Sequence, residues 1–127
     1  MTELRDLGLV AAGGAIGASL RYLIARAALM TLPLTFPWGT FFINVTGCFA
    51  MGIVAGLATR GWISPSARLF MATGILGGYT TFSAFGLEAQ DLLAGGRLAP
   101  VFFYVAGQFL LGLLGVFLGL GLARRLT

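Results

Sequence analysis

The sequence predicts an all-α integral membrane protein: four transmembrane helices forming a single domain over residues 1–127. Three observations carry this prediction. The chain is 58% apolar and only 9% charged, with a mean hydropathy of +0.96. Soluble domains run at about 45–50% apolar and about 25% charged, so too few charges are present here to cover a water-facing surface. The charges are also spaced in blocks: residues 27–59, 69–87 and 98–123 carry none, and residues 7–25 carry only Arg21. Finally, prolines and glycines fall between these blocks. A spanning helix needs roughly 20 apolar residues, so four of them use about 80 residues and leave only short loops.

The elements follow in order. The first helix is expected over residues 5–31, closed by Pro33 and Pro37. The second covers 38–59, opening at Trp38, whose indole suits a membrane interface. Gly61 and the Ser64-Pro65 pair end that span and start the third, with Ser64 as N-cap and Pro65 in the first helical position. The third runs over 66–92; Gly95-Gly96 and Pro100 separate it from the fourth, 99–124. Glycines lie four apart at Gly13/Gly17, Gly52/Gly56, Gly74/Gly78 and Gly115/Gly119. That spacing lets backbones approach closely in lipid, either inside one bundle or between subunits.

The remaining composition excludes several function classes. All eight cations are arginines, scattered near segment ends, which fits membrane-edge anchoring better than a nucleic-acid partner. Arg5, Arg60, Arg68, Arg124 and Arg125 fall on one side, against Arg97 and Arg26 on the other, a bias favouring cytoplasmic termini. Histidine is absent and Cys48 is the only cysteine, so an intrachain disulfide and a Cys/His metal site are excluded. No catalytic carboxylate pair and no GxxxxGK[ST] nucleotide motif occur.

Chemistry is concentrated in four places. Gly74-Ile-Leu-Gly77-Gly78-Tyr-Thr80-Thr81-Phe82-Ser83-Ala-Phe85 puts three glycines and then three hydroxyl residues in the middle of the third span, which weakens a helix there. Two readings stand: a continuous glycine-packed helix, or a break whose freed carbonyls suit a hard cation such as Na⁺ and whose freed N–H groups suit an anion. Phe82 and Phe85 share a face, either as plain packing or as positive ring edges turned toward a small anion. In the second span Thr40, Asn44 and Gly47 share a face, with Asn44 about 9 Å deeper than Trp38 at 1.5 Å per residue. Its amide either bonds across helices or donates to a passing anion. Arg21 in the first span either snorkels to an interface or marks a pathway entrance. In the fourth, Tyr104, Gln108 and Gly112 form a stripe that could line a path or satisfy Asn44.

Taken together, three strings resemble a known family: Gly13-Gly14-Ala-Ile-Gly17-Ala-Ser-Leu-Arg21-Tyr22; Pro37-Trp38-Gly39-Thr40 with Asn44, Gly47 and Gly52; and the third-span string above. In order and over nearly the whole chain they are similar to the small bacterial fluoride channels of the Fluc (CrcB) family. The resemblance implies an antiparallel, dual-topology homodimer in the cell (inner) membrane, with the third helix broken mid-membrane and two narrow fluoride pores. It also implies a central structural Na⁺, not transported, held by main-chain oxygens of Gly77 and Thr80 from both subunits. Asn44, Phe82 and Phe85 map onto the family's pore residues and Arg21 onto its vestibule arginine. Thr81, Ser83 and Tyr104 supply further hydroxyl donors along the same path. The fourth helix departs from the family pattern: Gln108 and Gly112 stand where small hydroxyl residues are usual.

The function expected is passive export of cytoplasmic F⁻ that limits its toxicity, with fluoride, lipid and a second copy of the chain as partners. The runner-up is a small four-helix proton-coupled multidrug exporter, which would need a membrane carboxylate such as Glu88. A non-transporting assembly subunit is a third reading, and an enzyme is the least supported.

Overall fold

A computed structural model describes residues 2–127. α1 (Thr2–Thr31) and α2 (Trp38–Thr59) are joined by the Pro33–Pro37 turn. The third span begins as α3 (Pro65–Arg68), passes into a π-helical segment (Leu69–Leu76) and closes with one α turn, α4 (Gly77–Tyr79). After a two-residue break it resumes as α5 (Phe82–Ala94), and α6 (Leu98–Leu126) completes the bundle. α1, α2 and α6 are each long and apolar enough to cross a membrane, and the third segment is a bent, interrupted helix beside them. Among the described residues there is no strand.

The helix ends follow the local chemistry. Ser64 caps α3 by accepting the Ala67 N–H at 3.1 Å, and Pro65 opens the helix where its missing N–H costs nothing. Gly61 and Gly96 take φ of +72°, a turn conformation that side chains resist. α2 matches the expected 38–59, whereas α1 and α6 extend two to three residues beyond the expected 5–31 and 99–124. The third span breaks at Thr80 and Thr81, as the resemblance implied, but its π turns over Leu69–Leu76 were not expected, and it runs from Pro65 to Ala94 rather than over 66–92.

Helices pair through the spaced glycines. α2 packs chiefly on α6, and α1 on the π-helical segment and α4. A Cβ on Gly119 would lie 2.2 Å from the Phe49 carbonyl oxygen, and one on Gly17 would lie 1.9 Å from that of Ile75. Gly13 likewise meets Gly74, Gly52 meets Val116, Gly56 meets Ala123, Gly78 meets Gly14 and Gly115 meets Phe49. All four glycine pairs are therefore used inside the bundle. The buried cluster of Ile43, Val54, Leu76 and Tyr79 lies where α2 crosses the third span.

Candidate functional site

The site grows out of the helix break. Thr80 (ψ 158°) and Thr81 (φ −150°, ψ 118°) are extended, so the backbone groups around them leave the helical ladder. Thr81 restarts the helix as N-cap of α5, its hydroxyl oxygen accepting the Ala84 N–H at 3.2 Å. Ala84 N is thereby taken from the carbonyl of Thr80. The Thr81 N–H is taken from the carbonyl of Gly77, because it donates to Asn44 Oδ1 at 2.9 Å. The carbonyl of Gly78 accepts from Arg21 Nε at 3.0 Å. Gly77 and Thr80 are thus left with carbonyl oxygens that the break has released.

α2 holds the break in place. Asn44 pairs with Thr81 at two points, accepting from its N–H and donating Nδ2 to its carbonyl oxygen, both at 2.9 Å. The second Asn44 N–H donates to Gln108 Oε1 on α6 at 2.7 Å. Thr46 Oγ1 and the Tyr79 hydroxyl lie 2.9 Å apart, anchoring the end of α4. Gly47 admits the break itself: a Cβ there would lie 2.3 Å from Thr80 Cγ2. The expected face of Thr40, Asn44 and Gly47 is therefore the surface on which the third span rests. Of the two readings of Asn44, bonding across helices is the one seen, directed at backbone rather than at a side chain alone.

Two cavities flank this clamp. One of about 330 Å³ is lined by Asn44, Thr80, Thr81, Phe82, Phe85 and Gln108, among others, with no charged residue in its wall. The other, about 350 Å³, lies toward the α1–α2 turn and carries Glu88, Asp91 and Arg97. Tyr104 is fully buried and stacks against Phe85, with ring centroids 5.5 Å apart, and Phe85 in turn lies 5.5 Å from Phe82. The Tyr104 hydroxyl donates to Glu88, whose other oxygen accepts from Thr40 at 2.9 Å.

Most of the residues singled out from the sequence converge here. Asn44, Thr81, Phe82 and Phe85 share one cavity, with Tyr104 beside it on Phe85. Phe82 is 82% exposed, however, and Ser83 is exposed too, so the start of α5 faces outward from the subunit. Ser83 Oγ lies 3.3 Å from Thr81 Oγ1. Gln108 emerges with a larger part than its sequence context indicated. It is buried, accepts from Asn44, and keeps its Nε2 without a partner. Burying such an unpaired donor costs about 1–3 kcal/mol. A polar residue four after Tyr104 on an apolar helix was the available signal. Among the described residues no group of three or more His, Cys, Asp or Glu side chains comes together.

Fold and site together define a multi-pass helical membrane protein built around a broken helix. A family model described as CrcB-like protein, Camphor Resistance (CrcB), matches residues 8–120. The chain belongs to this CrcB-like family. It is 50% identical to a protein of Hyphomonas neptunium named fluoride-specific ion channel FluC, over 93% of this chain and 94% of that protein. A protein of the same name from Rhizobium meliloti is 46% identical over 94% of this chain and 96% of its own length. Fluoride-specific ion channel FluC 2 of Nocardia farcinica is also 46% identical, over 93% of this chain and 84% of that protein.

Proposed function

We propose that this chain is a fluoride-selective ion channel that lets cytoplasmic F⁻ leave the cell passively and so limits fluoride toxicity; it is not an enzyme. The observation that carries this reading is an uncharged cavity of amide and aromatic groups at a broken span, in a chain half identical to a protein named as a fluoride-specific channel. A bare small ion in a low-dielectric core costs tens of kcal/mol without compensation. Fluoride, compact and a strong acceptor, recovers that cost from closely spaced donors. Thr81 and Ser83 supply hydroxyl groups at the break that Asn44 holds in place, and the edges of Phe82 and Phe85 add partial positive charge. With no fixed cation in the wall, the ion is released as readily as it is bound. Arg21 is read as the vestibule arginine, and its guanidinium donates to the Gly78 carbonyl at 3.0 Å.

The working unit is a homodimer of antiparallel copies in the cell (inner) membrane. Its support is the outward face of the break: Gly77, Phe82 and Ser83 are exposed on the isolated subunit. Unpaired backbone groups facing hydrocarbon cost several kcal/mol each, so this face requires cover that lipid does not provide. The released carbonyls of Gly77 and Thr80 suit a structural Na⁺ shared with the second copy, since hard cations prefer such oxygens. Bound there, the ion would neutralise the carbonyl ends and fasten the two breaks together.

A proton-coupled multidrug exporter is not favoured. Its relatives would have to exchange protons at a membrane carboxylate, and here Glu88 accepts hydrogen bonds from Thr40 and Tyr104. Purified protein in liposomes, read with a fluoride electrode, tests the proposal. Fluoride efflux at least tenfold above chloride efflux is expected, and should survive Glu88→Gln. Absent fluoride flux, or equal flux of both halides, would overturn it.

A further inference from the structure

We propose that the cavity between the end of α2 and the start of the third span binds the phosphate of an anionic phospholipid headgroup, with Arg68 and Thr73 as its ligands. The charge of that end of the bundle is the first support. Gly56 of α2 lies against Ala123 of α6, so the two helices run parallel and finish together, at Arg60 and at Arg124-Arg125. Arg5 donates to Ser66 at 2.8 Å, which brings the start of α1 to the start of α3. The short link 61–64 joins α3 to the end of α2, so all four elements meet at one end. Arg5, Arg60, Arg68, Arg124 and Arg125 stand there against Glu3 and Asp6 alone, and Asp6 is paired with Arg5 at 3.6 Å. At the other end Arg26 and Arg97 are balanced by Glu88 and Asp91. A negative membrane surface is therefore the complement of the first end only.

The cavity itself is the second support. It holds about 780 Å³ and is lined by Trp62, Ser64, Arg68, Leu69, Ala72 and Thr73, among others. That lies in the range of roughly 300–1,000 Å³ usual for small-ligand sites. Trp62 is exposed, and an indole settles at headgroup depth. Arg68 pairs with no carboxylate among the described residues, so its guanidinium fork is free to meet two phosphate oxygens. The π-helical segment accounts for Thr73. In an α-helix, residues five apart point about 140° away from each other, at 100° per residue. The wider turns bond five residues back, as Gly77 N–H does to the Ala72 carbonyl, and draw positions 68 and 73 into one wall. Thr31, Thr46, Thr59 and Thr127 each donate to the carbonyl four residues behind them. Thr73 makes no such bond among the described residues, and its hydroxyl is left to the cavity. Leu69 and Ala72 offer apolar wall to the first carbons of an acyl chain.

The test titrates the detergent-purified chain, carrying Trp38→Phe so that Trp62 is the only indole, and follows its emission. Dioctanoylphosphatidylglycerol should produce a saturable change, and dioctanoylphosphatidylcholine should bind about tenfold more weakly or worse. Arg68→Gln should weaken phosphatidylglycerol binding about tenfold or more, and Thr73→Val about fivefold. Arg124→Gln, at the same end but outside the cavity, should cost no more than about fivefold, the worth of one charge near an anionic surface. Equal losses in Arg68→Gln and Arg124→Gln would mean diffuse attraction and overturn the site. Full affinity in Thr73→Val, or no saturable change in the parent, would overturn it as well. Inorganic phosphate binding as tightly as the lipid would assign the cavity to a free anion instead and refute the lipid proposal. Should Arg68→Gln fail to fold, Arg68→Lys keeps the charge but loses the fork, and must still bind more weakly than the parent. No fluoride flux enters these measurements, so their failure leaves the channel reading untouched.

Discussion

Replacing Asn44 by alanine removes the clamp on the broken span, and its cost can be worked from three hydrogen bonds. Two join Asn44 to Thr81 at 2.9 Å and one joins it to Gln108 at 2.7 Å. Interhelical bonds in membranes average about 0.6 kcal/mol each, which gives a floor of roughly 2 kcal/mol. The variant also strands the Thr81 N–H and the Gln108 oxygen, and each unsatisfied buried group costs about 1–3 kcal/mol. Local relaxation recovers part of that, so about 2–4 kcal/mol is expected. At one decade per about 1.4 kcal/mol, the intact break loses roughly 30- to 700-fold against its competitors. Thermal unfolding in detergent should shift downward, and fluoride efflux from liposomes should fall by more than an order of magnitude. Asn44→Asp should do no better, because an ionised carboxylate would oppose the oxygens of both Thr81 and Gln108. An Asn44→Ala protein with the original unfolding midpoint and flux would refute the clamp; it would mean that the Thr81 cap on Ala84 holds the break alone.

Three further outcomes follow from the same geometry. Gly17→Ala places a Cβ 1.9 Å from the Ile75 oxygen and should destabilise by about 1–3 kcal/mol or more in detergent unfolding, whereas Gly8→Ala, with nothing within 4 Å, should be silent. Phe82→Ile should lower fluoride flux while leaving subunit unfolding within about 1 kcal/mol, because Phe82 is 82% exposed and contributes little to the packed core. Thr80→Ala should keep any Na⁺ dependence of flux, measured by exchanging Na⁺ for an organic cation. The Thr80 hydroxyl is held to the Leu76 carbonyl at 2.9 Å, and the proposed ligand is the main-chain oxygen, which alanine retains. Loss of Na⁺ dependence in that variant would assign the ligand to the side chain.

Much of this architecture was legible beforehand. The charge-free blocks and the Pro and Gly punctuation placed four crossings, and α2 begins and ends where they indicated. Gly77-Gly78 followed by Thr80-Thr81 marked the weak point at which the helix does break. Ser64-Pro65 foretold the start of the third span. The π-helical segment over Leu69–Leu76 was not legible. π and α turns use nearly the same backbone angles and side-chain preferences, so no residue in that stretch distinguishes them. The use of Gly52/Gly56 and Gly115/Gly119 within the bundle was also undecided, since their spacing serves either kind of helix contact equally well.

What the sequence determined alone was whatever lipid enforces locally: where the chain crosses, where it turns and where a helix is weakest. Hydrocarbon offers no partner to a bare peptide group, so these demands are written residue by residue. The choice of partners belonged to the tertiary structure. That Asn44 meets the backbone of Thr81, that Gln108 is left with an unused N–H₂, and that Phe82 faces outward all depend on how helices far apart in the chain are set against one another. Shifting one helix by a single residue rotates its side chains by about 100°, and that setting is fixed only when the glycine faces close on their neighbours.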